Sequence, residues 1–232
     1  MVRQAHHDKM GYKLLIYKML FSLFTNPISF VFYIVSLFIA LSVHEASHAL
    51  AADKLGDPTP RMDGRITLDP RAHIDLSGLL FMLFFGFGWG KPVIFDPYNL
   101  KNPRRDAALI SLAGPASNLL LALCLSILLK SFNLINIPAL TTIGYLLLYP
   151  LITINITLGI FNLLPIHPLD GFKIVGGALP EDQAHEWFQL QRYGMIFLLL
   201  LIIPLFGSGS MLDFILQPIM RFVIPLFVPS LM

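Results

Sequence analysis

Val43-His44-Glu45-Ala46-Ser47-His48-Ala49 is the string in this chain whose residue types and spacing could do chemistry. On a helix, positions four apart project from one face, so His44 and His48 can both reach one metal ion. Glu45, next to the first histidine, can act as general base toward water at that metal. Neutral imidazole nitrogen suits zinc, which lowers the pKa of a bound water to about 7. The surroundings sharpen the reading. Only three glutamates occur, Glu45, Glu181 and Glu186, and Glu45 lies inside the apolar run from Pro27 to Ala52, flanked by two of the seven histidines. A charge near a bilayer centre costs roughly 2.5–3.5 kcal/mol on insertion scales, and a lipid-facing helix offers nothing to offset it. The competing reading is an interhelical hydrogen-bond cluster.

A third metal ligand must come from elsewhere. The extended soluble pattern needs a Gly and then a His, but Ala51 and Lys54 occupy those positions. The other soluble class takes a downstream glutamate, and none lies between Glu45 and Glu181. The best remaining donor is Asp170, which closes an uncharged stretch and precedes Gly171. Two histidines and one aspartate would leave the fourth zinc position open, as a catalytic site requires.

The elements that carry these residues belong to a membrane. Of the 232 residues 56% are hydrophobic and 13% charged, about half the charge of an ordinary soluble domain, and mean hydropathy is +0.71. The net charge of +2 is weak and spread out, so nothing points to nucleic acid. The single cysteine, Cys124, reads as a small buried hydrophobe. Basic residues Arg3, Lys9, Lys13 and Lys18 interrupt the N-terminal region, which argues against a cleaved signal peptide.

Residues 12–25 read as an amphipathic interfacial stretch, and 27–52 as a helix long enough to span. The 76–90 segment is apolar, glycine-broken and too short to cross, which suggests a re-entrant hairpin. Residues 107–129 fit one transmembrane helix, and 139–163 another, broken or bent near Pro150. The tail from Gly194 suggests one further span and a broken membrane-associated end. The expected fold is an all-α polytopic membrane protein with about four to six transmembrane or membrane-embedded segments. It divides into an interfacial arm (1–26), a metalloprotease core (27–175), and a polar excursion with a membrane tail (176–232).

These motifs, in this order, resemble the site-2 protease family of intramembrane zinc metalloproteases, in its compact form without PDZ or CBS domains. His44-Glu45-Ala46-Ser47-His48 matches the family's HExxH helix, and Leu169-Asp170-Gly171 its second motif, whose aspartate is a zinc ligand. Asn162 matches the asparagine that opens the extended second motif, and Gly114-Pro115-Ala116-Ser117-Asn118 the GPxxN element. The resemblance covers roughly 27–175. It implies one catalytic zinc ion, Glu45 as catalytic base, and regulated intramembrane proteolysis. It further implies substrates with single transmembrane segments, such as anti-sigma factors, membrane-held transcription factors and signal-peptide remnants.

Other positions have two readings each. Asn162 can hydrogen-bond the substrate carbonyl or the tetrahedral oxyanion, or satisfy backbone where its helix ends. Asn118 suits helix packing or substrate contact. His167 and His73 either attend the site or sit in turns. Residues 91–95, after the re-entrant segment, could present an extended edge to substrate. Ten Lys and Arg lie on the side of the loop after His48 and five on the other, with Arg221 unassigned, which argues for a cell-membrane protein whose active site faces the cytoplasm. The alternative function is a membrane zinc-binding protein or transporter without proteolysis, which would not need Glu45. The sequence does not specify an oligomeric state.

Overall fold

The computed structural model describes residues 26–85, 88–135, 137–203 and 210–228. The interfacial stretch expected over 12–25 lies outside the described residues.

Three apolar helices dominate the fold. The first, α1 (Pro27–Leu55), starts where the Asn26 side chain accepts the Ser29 N–H at 3.1 Å and Pro27 fixes the first helical φ. It ends where Gly56 donates back to the Ala52 and Asp53 carbonyls. After the short α2 (Thr59–Met62) and α3 (Leu76–Phe85) come α4 (Pro103–Ile135) and α5 (Pro138–Asn162). Helices α1, α4 and α5 are each long and apolar enough to cross a membrane. At 29, 33 and 25 residues, they exceed the roughly 20 that a hydrocarbon core demands. The chain is therefore an all-α membrane protein. The remaining helices are α6 (Asp170–Ala178), α7 (Glu181–Gln189), the shorter apolar α8 (Gln191–Ile202) and α9 (Met211–Phe227).

Helix α4 is the hub, packing against α1, α5 and α6, while α1 also meets α5. One core cluster, far along the chain from His44, joins Ala122 and Leu129 of α4, Ile152 and Ile156 of α5, and Met220 and Ile224 of α9. It fixes the α4–α5 pair as a scaffold for the other end of both helices. Helix α5 runs unbroken through Pro150, where the sequence suggested a break or bend. The Thr153 hydroxyl donates one bifurcated bond to the carbonyls of Tyr149 (2.8 Å) and Pro150 (3.1 Å).

The 76–90 segment doubles back. Helix α3 leads out, and Trp89 returns to pack on Phe81 with ring centroids 5.2 Å apart. The base of this hairpin is closed by an antiparallel bridge between Ile74 and Gly90 and by the Lys91 N–H donating to the His73 carbonyl at 2.8 Å. The polar excursion expected over 172–193 is mostly helical. Part of it, α6, packs under α4, and the Trp187 indole of α7 donates to the Phe172 carbonyl at 2.8 Å.

Candidate active site

His44 and His48 occupy successive turns of α1 on the face turned to α4, and both are under 10% exposed. Their rings meet edge to face, with centroids 4.5 Å apart. A backbone or side-chain acceptor holds the Nδ1 of each. For His48 it is the Ile110 carbonyl, at 2.7 Å. A carbonyl can only accept, so His48 carries its proton on Nδ1 and leaves the lone pair on Nε2. For His44 the acceptor is the Asn118 side chain, again at 2.7 Å. The Asn118 amide nitrogen donates to the Ala40 carbonyl (2.9 Å) and to Asn155 Oδ1 (2.8 Å), so its oxygen must face His44. Asn155 is fixed in turn by donating to the Leu151 carbonyl at 2.8 Å. This relay gives His44 the same tautomer as His48.

Asp170 arrives from the other end of the core. It opens α6, where a carboxylate is favoured by the helix N-terminus. The chain reaches it from α5 through a tight turn, with the His167–Pro168 peptide cis. Gly171 is required there, because a Cβ at this position would fall 2.2 Å from the Leu163 carbonyl oxygen. Gly114 has a comparable role on α4: a Cβ would stand 2.4 Å from His48 Nε2 and 2.7 Å from His44 Cε1. Glycine lets α4 press directly against both imidazoles.

The result is a triangle of acceptor atoms. His44 Nε2 and His48 Nε2 are 3.0 Å apart, and Asp170 Oδ2 lies 3.1 and 3.2 Å from them. In neutral imidazoles protonated at Nδ1, neither Nε2 donates within the triangle, and Asp170 Oδ2 is buried without a hydrogen-bond partner. Three lone pairs held this close repel unless a cation lies among them. Zinc bonds of 2.0–2.1 Å in a tetrahedron place neighbouring ligand atoms about 3.3 Å apart. The triangle fits one face of that tetrahedron, and these three residues form a group able to hold one metal ion.

Glu45 stands beside the triangle at 9% exposure. Its Oε2 accepts the Val93 N–H at 3.0 Å and lies 4.0 Å from Arg65 Nη2. The turn that carries His44 and Glu45 opens onto a cavity of about 580 Å³, lined also by residues of the 74–92 hairpin, Asn162 and part of α8. Its walls are mainly apolar, and Asp75 is one of its few polar residues. There the Ser77 hydroxyl and the Gly78 N–H hold the Asp75 carboxyl below its ordinary range.

Asn162 lines this cavity with its amide donating to the Leu158 carbonyl at 3.0 Å. His167 faces away, against Phe172 with centroids 5.6 Å apart, in a separate cavity between α6 and α8. His73 is fully buried in its loop, with Nε2 on the Thr67 carbonyl at 2.8 Å. The Ser47 hydroxyl turns back onto the Val43 carbonyl. Sequence reasoning missed Asn155 and Arg65 and the Ile110 and Val93 backbone contacts. Asn155 left one signal, a lone amide within the apolar stretch 151–156.

The Peptidase family M50 model matches residues 133–203, which include Asn162 and Asp170. "Putative zinc metalloprotease YwhC" of Bacillus subtilis is 36% identical over 187 residues, covering 78% of this chain and 85% of that protein. The chain belongs to peptidase family M50, the site-2 protease family. This M50 chain is thus a metalloendopeptidase of a membrane. It is also 32% identical over 180 residues to "Putative zinc metalloprotease Rip2" of Mycobacterium tuberculosis, covering 75% of this chain and 67% of that one. "Zinc metalloprotease MJ0392" of Methanocaldococcus jannaschii is 27% identical over 190 residues, 82% of this chain but 47% of the relative. No solved structure matches this M50 chain.

Proposed function

We propose that the chain hydrolyses peptide bonds within or near the transmembrane segments of membrane proteins, with His44, His48 and Asp170 holding one zinc ion and Glu45 as general base. The observation that carries the reading is the triangle of His44 Nε2, His48 Nε2 and Asp170 Oδ2 with edges of 3.0–3.2 Å, next to Glu45 and among apolar helices. A metal ion bound there supplies Lewis-acid polarisation of a peptide carbonyl and of water.

The chain's own groups do the rest. The Val93 N–H engages Glu45 Oε2 and orients the carboxylate, so that Oε1 can take a proton from the attacking water. Glu45 later returns that proton to the departing amine. Asn162, at the rim of the cavity, turns its amide to the substrate carbonyl oxygen. The cavity of about 580 Å³ admits an apolar segment of a few residues and not an intact helix, so the substrate unwinds locally before it is cut. Substrates are single-span membrane proteins, and the excess of Lys and Arg around the loop after His48 supports an active site toward the cytoplasm.

The test compares wild type and Glu45→Gln in proteoliposomes, measuring bound zinc and cleavage of a single-span test protein. Zinc retained with cleavage lost is the expected result. Wild-type cleavage by Glu45→Gln would overturn the mechanism, and zinc flux into the vesicles that survives this substitution would favour a transporter.

A further inference from the structure

We propose that Arg65 is the positioning residue for Glu45, clamping both the carboxylate and the backbone segment that holds it. The inference rests on the reading of Glu45 as the base. Arg65 is 5% exposed, and a buried guanidinium is rare unless it is paired. Its Nη1 donates to the Ala72 carbonyl and its Nη2 to the Lys91 carbonyl, while the same Nη2 lies 4.0 Å from Glu45 Oε2.

The two carbonyls lie on opposite arms of the hairpin base, where Lys91 N–H already bonds the His73 carbonyl at 2.8 Å. A planar fork can bridge two acceptors at fixed spacing, which an ammonium cannot do. Two residues beyond Lys91 is Val93, whose N–H donates to Glu45 at 3.0 Å. Only Pro92 stands between them, and its ring fixes φ. Fixing the Lys91 carbonyl therefore restricts where the Val93 N–H points. Arg65 itself is anchored by its own N–H on the Pro60 carbonyl at 2.8 Å. Glu45 is thus held by charge on one side and by a backbone segment that the same guanidinium aligns.

The test uses the zinc-loaded full chain in proteoliposomes with a single-span test protein, comparing Arg65→Met, Arg65→Lys, Glu45→Gln and the double variant Glu45→Gln/Arg65→Met. Arg65→Met is expected to keep its zinc and lose about 100-fold in kcat, the scale of a misplaced general base, with KM changed less than about threefold. Arg65→Lys keeps the charge without the fork and falls between the two. The double variant cleaves no more slowly than Glu45→Gln alone, because residues acting as one unit are non-additive. In metal-free protein, Val93 amide exchange quickens in Arg65→Met.

Wild-type kcat in Arg65→Met, losses that multiply in the double variant, or unchanged Val93 exchange would each overturn the inference. A merely structural arginine would lower both backgrounds by the same factor. Should Arg65→Met not accumulate, Arg65→Lys decides: reduced kcat with full zinc supports the clamp, and wild-type kcat overturns it. Wild-type cleavage by Glu45→Gln removes the base assignment itself. An inactive Glu45→Gln beside a fully active Arg65→Met removes only the clamp.

Discussion

His44 donates its Nδ1–H to Asn118 Oδ1 across a 2.7 Å contact between α1 and α4, and the Asn118 oxygen faces His44 because its amide nitrogen donates to the Ala40 carbonyl and Asn155 Oδ1. The relay sets the histidine tautomer as well as its position. Asn118→Leu leaves a buried N–H without an acceptor and frees the ring to rotate. Zinc affinity is expected to fall 10–100-fold, the usual cost of losing such a partner. Competition with a chelating dye reads this directly. Asn155→Leu, one link further away, should weaken zinc less than Asn118→Leu, and an equal or larger loss would refute the order of the relay.

Gly114→Ala separates packing from helix propensity. In a helix interior, alanine is favoured over glycine by about 1 kcal/mol, so on propensity alone the variant gains stability. The added Cβ would fall 2.4 Å from His48 Nε2, however, and must push the imidazole out of the triangle. Zinc content should drop at least about tenfold while the detergent-solubilised helix content is retained. Full zinc occupancy in Gly114→Ala would show that α4 can yield without disturbing the ligands.

The triangle was legible in the sequence because each of its members is a polar group that an apolar setting makes conspicuous. His44 and His48 share a helix face by their spacing alone, and Asp170 is the carboxylate that ends a long uncharged stretch. Asn118 was visible as an amide able to bond across helices, but not as the group that fixes a tautomer, because that depends on Asn155 in a third helix. Arg65 was invisible for a different reason. It lies in a polar loop where a cation is unremarkable, and its partners are mostly backbone carbonyls, which no residue type encodes. The continuity of α5 through Pro150 was not legible because a proline removes one backbone donor, and whether the helix carries on depends on its packing against α1 and α4.

The polar loops beneath the site carry their own pH dependence. Asp57 is fully buried. Burial pushes its carboxyl up, but bonds from the Thr59 hydroxyl (2.6 Å), the Asn99 amide (2.8 Å), and the Asp96 (2.7 Å) and Thr59 (3.1 Å) N–H groups together hold it below the ordinary value. A carboxyl depressed in the folded state stabilises fully above its unfolded value of about 3.9 and loses that contribution as pH falls through the folded value. Protection of the Asp96 amide, taken relative to the intrinsic exchange rate at each pH, should therefore be high near neutral pH and fall as pH drops below about 4. Asp57→Asn should lower it at neutral pH and flatten the acid response. An acid response of unchanged steepness in that variant would assign it to another group.

The triangle also predicts how the fold responds to metal removal. His44 Nε2, His48 Nε2 and Asp170 Oδ2 converge within 3.2 Å, an arrangement of lone pairs that a bound cation stabilises. Anything that binds only the folded state stabilises it by mass action. A strong chelator should lower the thermal midpoint of the wild type, and added zinc should restore it. In Glu45→Gln the same shift should persist, because Glu45 is not one of the converging atoms. Asp170→Asn substitutes an amide that can donate to an Nε2 lone pair, relieving the repulsion while weakening zinc. Its metal-free midpoint should match or exceed that of metal-free wild type, and zinc should raise it little. If zinc stabilised Asp170→Asn as much as wild type, Asp170 would not be a ligand. If chelation left the wild-type midpoint unmoved, no metal ion held by the triangle would be stabilising the fold.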